Sequence, residues 1–262
     1  PYYPEVVKYM ETCATKAGYS LILCDALGDA KKEEEYFRTL KYLFVDGILY
    51  IASTENIEHV RPYIGEIPMI IVNRTFDVDA PCINMDNVDA AYQAVKYLIV
   101  NGHRKIALYI NDKDRQYNRE RLQGALKALQ EYGIKDYEKY MVRDVGSEED
   151  AYYKTLEMMR NEELPTSIFM FNDFMAYGVY RGITKSGLHI PDDISVVGFD
   201  DIPQVKYLDP PLTTLRHSLA DTAGIIFERL MEQIKTQTCA HGSRTYFKGR
   251  LIERESVKKL DS

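Results

Sequence analysis

Short, continuously apolar runs alternate with segments of helical period along almost the whole chain, and this alternation most constrains the fold. The runs predict strands at residues 21–24, 47–52, 68–72, 83–84, 106–110, 141–142, 167–171 and 194–199. Strands that are apolar along their whole length are typical of parallel sheets that helices cover on both faces. The sequence therefore predicts an α/β protein.

The segments between these runs repeat apolar residues on one helical face. They predict helices at residues 4–17, 29–43, 55–64, 88–100, 119–132, 149–160, 174–186 and 219–235. Pro4 suits the first turn of the first helix, and Gly18 suits the position just after its end. An extended segment at 246–257 follows the last helix. The pattern leaves open whether the strands form one wide sheet, a barrel or two sheets.

Composition excludes several classes of protein. The net charge of −7 opposes binding of nucleic acid by these residues alone. No apolar run approaches the roughly 20 residues that span a bilayer, and the first residues show no secretion signal. The cysteines Cys13, Cys24, Cys82 and Cys239 lie far apart, which predicts free thiols in a reducing cytoplasm.

Polar side chains follow most of the predicted strands. They are Asp25, Ser53, Asn73, Arg74, Asn111, Asp112, Asn172, Asp173, Asp200 and Asp201. Open α/β sheets bind ligands beyond the carboxyl ends of their strands, and such groups suit a polyhydroxylated or heterocyclic ligand. Asp and Asn are also ordinary caps of the helix that follows, so each residue alone could be structural.

Signatures of catalysis are absent from the sequence. It contains no GxGxxG, GxxxxGK[ST], GxSxG or HExxH pattern, and no metal-ligand spacing. Asp200 and Asp201 could form an acid–base pair, but no nucleophile lies nearby in sequence. His103 follows the helix at 88–100 and is expected to cap its end. The sequence therefore favours binding over catalysis, with no cofactor and no metal.

Several motifs resemble one family closely. Residues 172–178 fit NDxMAxG, residues 191–201 read PDDISVVGFDD, and residues 209–214 read DPPLTT. Further pieces agree in order, among them VDGILYIAS, RERLQG and LIERESV. Together these motifs resemble the effector-binding core of the LacI/GalR family of bacterial transcription regulators over nearly the whole chain.

The resemblance implies two similar α/β subdomains of periplasmic-binding-protein type, each a doubly wound parallel sheet, joined by three crossovers. The crossovers are expected near residues 85–86, 216–217 and 245–246. The N-terminal subdomain would comprise residues 1–85 and 217–245, and the C-terminal subdomain residues 86–216 and 246–262. A DNA-binding headpiece of the kind found in this family is not among these residues.

The resemblance also implies a ligand site between the subdomains. Arg121, in RERLQG, matches an arginine that holds neighbouring ligand oxygens, with a surface salt bridge as the alternative. Asp200 matches a carboxylate that accepts hydrogen bonds from ligand hydroxyls or ring nitrogens. Asn172 matches a cleft amide, which leaves Asp173 as the expected helix cap.

Other expected contacts are less specific. Asn73 lies where family members commonly carry an aspartate, and Tyr3 matches an aromatic position at the mouth of the site. Tyr117 and Arg115, in the loop before Arg121, could contact the ligand or face solvent. Gly146 stands where many relatives have an aromatic wall, which removes one stacking surface for a hexose.

The resemblance implies an effector-sensing and dimerisation domain of a LacI-type repressor, with a sugar as the expected effector. A homodimer is expected, with the helix at residues 5–17 as one candidate surface. Operator DNA would be bound only through the missing headpiece, and no membrane contact is expected. The alternative is a periplasmic-type solute-binding protein of a sugar transporter, which shares the fold.

Overall fold

The computed structural model describes residues 2–52, 54, 56–111, 115–216, 219–237 and 242–260, without the side chains of residues 2–5 and 219–222. The chain forms two compact units and passes between them three times. The first unit contains Pro1–Met85 and Ser218–Phe247, and the second contains Asp86–His217 and Lys248–Ser262. Each unit is built on a largely parallel sheet, so the predicted α/β fold class is confirmed.

The first unit has a four-stranded parallel sheet with the order β1-β2-β3-β9. Its strands are β1 (Ile48–Ile51), β2 (Met69–Val72), β3 (Cys82–Met85) and β9 (Arg244–Phe247). Its helices are α1 (Tyr2–Lys16), α2 (Ala30–Tyr42) and α7 (Leu219–Thr236). α7 packs against α1 and β2.

β2 shows why its sequence is apolar throughout. Met69 and Ile71 belong to a buried cluster that includes Phe37 of α2, whereas Ile70 and Val72 belong to a second cluster with residues of α1 and α7. Successive strand residues point to opposite faces, so helices on both sides bury all four side chains.

The predicted strand at residues 21–24 is wrong. These residues form no strand, and Leu21, Ile22 and Leu23 are 38%, 53% and 68% exposed. An apolar run becomes a strand only where a neighbour accepts its hydrogen bonds. Among the described residues, β1 pairs only with β2, and no strand pairs with this segment.

The predicted helix at residues 55–64 is also wrong. The described part of this segment forms turns and one short 3-10 helix, Arg61–Tyr63. Thr54 Oγ1 donates to the Asn56 carbonyl, and Asn56 Oδ1 accepts from the Glu58 N–H. Such local side-chain bonds compete with the helical ladder.

The second unit has a six-stranded sheet with the order β10-β8-β7-β6-β4-β5, parallel except for β10. Its strands are β4 (Ile106–Tyr109), β5 (Met141–Val142), β6 (Ser167–Met170), β7 (Ser195–Asp200), β8 (Thr213–Arg216) and β10 (Arg250–Ile252). Its helices are α3 (Asn87–Val100), α4 (Gln116–Glu131), α5 (Glu148–Met158) and α6 (Met175–Lys185). The sequence did not predict β8, because two threonines and an arginine interrupt its apolar pattern.

Glycines bring the helices of this unit close together in pairs. A Cβ at Gly124 of α4 would lie 2.1 Å from the Val88 carbonyl oxygen of α3. A Cβ at Gly178 of α6 would lie 2.1 Å from the Glu148 carbonyl oxygen of α5. The first of these contacts positions α4, the helix that carries Arg121 one turn earlier.

His103 caps the end of α3 through its backbone, whose N–H donates to the Leu98 carbonyl oxygen at 3.1 Å, but the expected contribution of its ring is not observed. Its ring is 1% exposed, with Nδ1 3.0 Å from Thr166 Oγ1 and Nε2 3.0 Å from the Lys258 carbonyl oxygen. Asn101 holds the C-cap position of the helix. His103 therefore connects the segment after α3 to the segment after β10.

Three negative findings concern the described residues. Cys13, Cys24 and Cys82 are free thiols, and Cys239 lies outside the described residues. In the part of the chain that the structure describes, no cluster of His, Cys, Asp and Glu could hold a metal ion. No described helix has both the length and the apolarity that a bilayer crossing requires.

Candidate ligand-binding site at the strand ends

The centre of the candidate site in the second unit is the guanidinium of Arg121. Nε donates to Asn87 Oδ1 at 3.1 Å, Nη1 donates to the Phe171 carbonyl oxygen, and Nη2 donates to Asp200 Oδ1 at 3.3 Å. These partners come from α3, from the end of β6 and from the end of β7. The structure thus brings Arg121 and Asp200 together, 79 residues apart in sequence.

Two aromatic rings lie against the same guanidinium. The Arg121 Cζ atom is 3.7 Å from the centre of the Phe199 ring and 5.3 Å from that of Tyr117. Cation–π attraction strengthens when the cation is removed from water, and the Arg121 side chain is only 7% exposed. Tyr117, predicted as a ligand contact, therefore lies beside the predicted arginine.

Much of the hydrogen-bonding capacity of Arg121 is used within the protein. Of the five guanidinium N–H groups, three have the partners given above. Among the described residues, one N–H on each terminal nitrogen has no partner. Arg121 is therefore a buried residue of the unit that retains two donors, rather than the surface ion pair of the alternative interpretation.

Asp200 and Asp201 have different surroundings. Asp201 is paired with Arg216 and with Arg254, the latter at 2.6 Å, and its side chain is 6% exposed. The Asp200 side chain is 19% exposed and pairs with Arg121. Separate arginines hold the two carboxylates, and Asp200 is the more exposed of the two.

The backbone at this point is unusual. Asp200 has φ 115° and Asp201 has φ 52°, both in the region that favours glycine. Non-glycine residues keep such conformations only where their surroundings hold them.

The expectation that Asp173 caps the helix is wrong. Asn172 Oδ1 accepts from the Met175 N–H at 3.2 Å at the start of α6. Asp173 is fully buried and bonds instead to Thr214 and to the Ile202 N–H. Asn172 thus forms the cap-like contact expected of Asp173, because the Asp173 carboxylate turns toward the sheet.

The other two predicted site residues belong to the first unit. Asn73 follows β2 with φ 64°, and its N–H donates to the Ile83 carbonyl oxygen. Tyr3 lies in α1, but its side chain is outside the described residues. Both remain predictions.

A polar group at the strand ends of the first unit was not predicted. Asn84 Nδ2 donates to Thr75 Oγ1 at 2.6 Å, and Thr75 Oγ1 is 3.5 Å from Tyr246 Oη. Asn84 Oδ1 is buried without a hydrogen-bond partner in the described part of the chain. The signal was present in the sequence as an asparagine inside an otherwise apolar strand.

Sequence reasoning also missed Asn87 in the second unit. Its Oδ1 accepts from Arg121, and its Nδ2 donates to Glu120 Oε2 at 2.9 Å. Glu120 Oε1 accepts from Gln116 at 2.7 Å. This chain of bonds orients Arg121, and no local sequence pattern indicated it, because Asn87 lies 33 residues from Glu120 and 34 from Arg121.

Comparison with known proteins identifies the family. The family model described as periplasmic binding proteins and sugar binding domain of LacI family matches residues 1–255. An HTH-type transcriptional repressor, PurR, from Haemophilus influenzae is 31% identical over 264 residues, which cover 99% of this chain and 79% of the repressor. The chain belongs to the LacI family.

Solved structures of LacI-family proteins have the same fold. A regulatory protein from Chloroflexus aggregans superposes with a TM-score of 0.87 at 27% identity, over 98% of this chain and 92% of that one. A regulator from Enterococcus faecium, solved with bound ribose, has a TM-score of 0.86 at 24% identity, over 100% and 96%. The LacI-family chain is thus an effector-binding domain, and the transporter alternative is not favoured.

Proposed function

We propose that this LacI-family domain binds a sugar at Asp200 and Arg121, and that binding changes how a helix-turn-helix headpiece of the same protein contacts operator DNA. The observation that carries the proposal is the geometry of the Asp200–Arg121 pair. The Asp200 carboxylate offers acceptor oxygens, and the two remaining N–H groups of Arg121 are donors. Sugar hydroxyls both donate and accept, so they fit this combination.

Two further points support a sugar as the effector. The family description names a sugar-binding domain, and the Enterococcus faecium neighbour was solved with ribose.

The regulatory part of the proposal follows from the family. Effector binding would shift a conformational equilibrium of the domain, with a coupling of about 1–3 kcal/mol. A two-fold symmetric homodimer would match a pseudo-palindromic operator. The protein would act in the cytoplasm, where its operator lies, and would bind its effector without converting it, with no cofactor. Residues Tyr3, Asn73, Tyr117 and Asn172 complete the proposed set of contacts.

A thermal-shift screen followed by calorimetric titration tests the proposal. The ligands are ribose, other free sugars, sugar phosphates and nucleobases, and the proteins are wild type, Asp200→Asn and Asp192→Asn. Asp192 is a matched control, since its carboxylate belongs to the same unit and is 73% exposed. A sugar is expected to raise the Tm of wild type and Asp192→Asn by mass action.

For Asp200→Asn we expect at least a tenfold weaker affinity, because a charge-assisted hydrogen bond contributes about 1.5–3 kcal/mol. Equal stabilisation of all three proteins would place the site elsewhere. Stabilisation by nucleobases or phosphates alone would retain the binding function and overturn the sugar assignment.

A further inference from the structure

The buried carboxyl group of Asp173 is not part of the proposed binding site. Asp173 is 0% exposed and accepts two hydrogen bonds. Thr214 Oγ1 of β8 donates to Oδ1 at 2.7 Å, and the Ile202 N–H after β7 donates to Oδ2 at 3.0 Å. The Asp173 side chain, which follows β6, therefore contacts both β8 and the segment directly after β7.

β7 leaves room for this carboxyl group. A Cβ at Gly198 would lie 2.1 Å from Asp173 Oδ1, closer than any side chain could remain. Glycine at position 198 thus allows Asp173 to sit against the strand whose end carries Asp200.

The contacts of Asp173 bear directly on the backbone around Asp200. Asp200 and Asp201 have positive φ angles, and the next residue, Ile202, is the one whose N–H Asp173 accepts. Arg216 and Arg254 hold the Asp201 side chain. Asp173 therefore fixes the main chain at Ile202, two residues after Asp200, whereas Arg216 and Arg254 contact the Asp201 side chain.

We propose that Asp173 is a positioning residue, which holds Ile202 and Thr214 so that the backbone at Asp200 presents its carboxylate to the effector. This inference rests on the proposed function of Asp200. Burial, together with the nearby carboxylates of Asp200 and Asp201, raises the pKa of Asp173 well above its usual range.

The first test measures amide hydrogen exchange at Ile202 in the ligand-free protein, so it does not depend on the effector. Asp173→Ala removes the acceptor and is expected to speed exchange at this amide at least tenfold. Asp173→Asn should change it less than threefold, because the amide oxygen can accept from Ile202 while its NH₂ donates to Thr214 Oγ1.

Thr155→Ala is the matched control for a merely structural effect. Thr155 is also 0% exposed in the second unit and donates to the Ala151 carbonyl oxygen within α5. Its loss is expected to lower Tm while leaving exchange at Ile202 unchanged. Equal acceleration in Thr155→Ala and Asp173→Ala, or none in Asp173→Ala, would overturn the positioning role.

The second test measures affinity for ribose, or for the sugar that the screen identifies, at a temperature where every variant is folded. Asp173→Ala should bind at least tenfold more weakly, whereas Asp173→Asn and Thr155→Ala should stay within threefold of wild type. If Asp200→Asn weakens binding and Asp173→Ala does not, the positioning role is wrong and the proposed function stands. If no sugar binds, or Asp200→Asn has no effect, the proposed function fails, and with it the role of Asp173 in presenting Asp200.

Discussion

Arg121 contributes to the stability of the second unit independently of any ligand. Its guanidinium connects α3, β6 and β7 and is almost completely buried. Replacing it removes one partner of the Phe171 carbonyl oxygen and one partner of the Asp200 carboxylate at once. The loss of a partner by a buried polar or charged group costs more than the net contribution of the bond.

We therefore expect Arg121→Met to lower the free energy of unfolding by about 2–4 kcal/mol. Urea denaturation measures this change, and Arg181→Met is the control, because Arg181 is exposed and lies over Tyr152 at 4.5 Å. The control is expected to lose at most about 1 kcal/mol. Equal losses in the two variants would contradict the buried role of Arg121.

The residues of the candidate site were predictable to different degrees. Arg121 was indicated only by a motif of the family, whereas Asp200 was indicated both by such a motif and by its position after a predicted strand. Asn87 and Phe199 could not, because their contact with Arg121 joins distant parts of the chain. Whether Asn172 or Asp173 makes the cap-like contact with α6 depends on which side chain turns toward the sheet, which the order of two adjacent residues does not determine.

At the scale of the element, glycines set the distance between paired helices. Gly178 of α6 faces the backbone of α5, whereas a Cβ at Gly224 of α7 would meet nothing within 4 Å. Alanine at an open helical position stabilises by roughly 0.5–1 kcal/mol, because glycine loses more conformational entropy on folding.

Gly178→Ala is expected to destabilise by about 1–3 kcal/mol, since α5 and α6 must separate to admit the methyl group. Gly224→Ala, its matched control, is expected to stabilise slightly. Calorimetric Tm values of both variants give the comparison. Stabilisation by both substitutions would show that α5 and α6 do not pack this closely.

Hydrophobic periodicity predicted some of the strands correctly and failed for others. β2 and β6 were predictable because helices cover both of their faces and each reads as a continuous apolar run. Residues 21–24 have the same apolar character but no pairing partner among the described strands. β8 has a partner on each side, β7 and β10, and so forms despite its polar residues. Pairing is a long-range property, which local composition does not contain.

At the scale of the whole molecule, His103 makes stability depend on pH. Burial lowers the pKa of His103 below its usual value, and the hydrogen bond with the Lys258 carbonyl opposes that shift only in part. The unfolded chain, with an ordinary histidine pKa of about 6.5, binds more protons than the folded one. The stabilisation is therefore present above about pH 6.5 and is lost as pH falls toward the folded pKa.

Urea denaturation between pH 8 and pH 5 tests this dependence. As pH falls, protonation of His103 is expected to lower the free energy of unfolding of wild type by at most about 1.4 kcal/mol per pH unit. The free energy of unfolding of His103→Gln should fall less over the same range. His189→Gln should follow wild type, because the His189 side chain is 78% exposed. Parallel curves for wild type and His103→Gln would contradict the assignment.

The two units could be anticipated only through the family motifs. Alternating strands and helices indicated the α/β class, but one sheet, two sheets and a barrel have the same local pattern. What separates them is which strands pair, and β9 pairs with β3 although more than half of the chain lies between them. Local periodicity does not indicate which strands pair.

The discontinuous make-up of the units also has a consequence for biosynthesis. A ribosome releases β1, β2 and β3 well before α7 and β9, which complete the same unit from residues 218–247. The second unit is in turn finished only when residues 248–260 deliver β10, Arg254 and Ser256, which bonds to Val196 and Thr213. Neither unit can reach its final form before its late segment has left the ribosome, so we expect the first unit to mature only after residue 247 has emerged and the second only after residue 260.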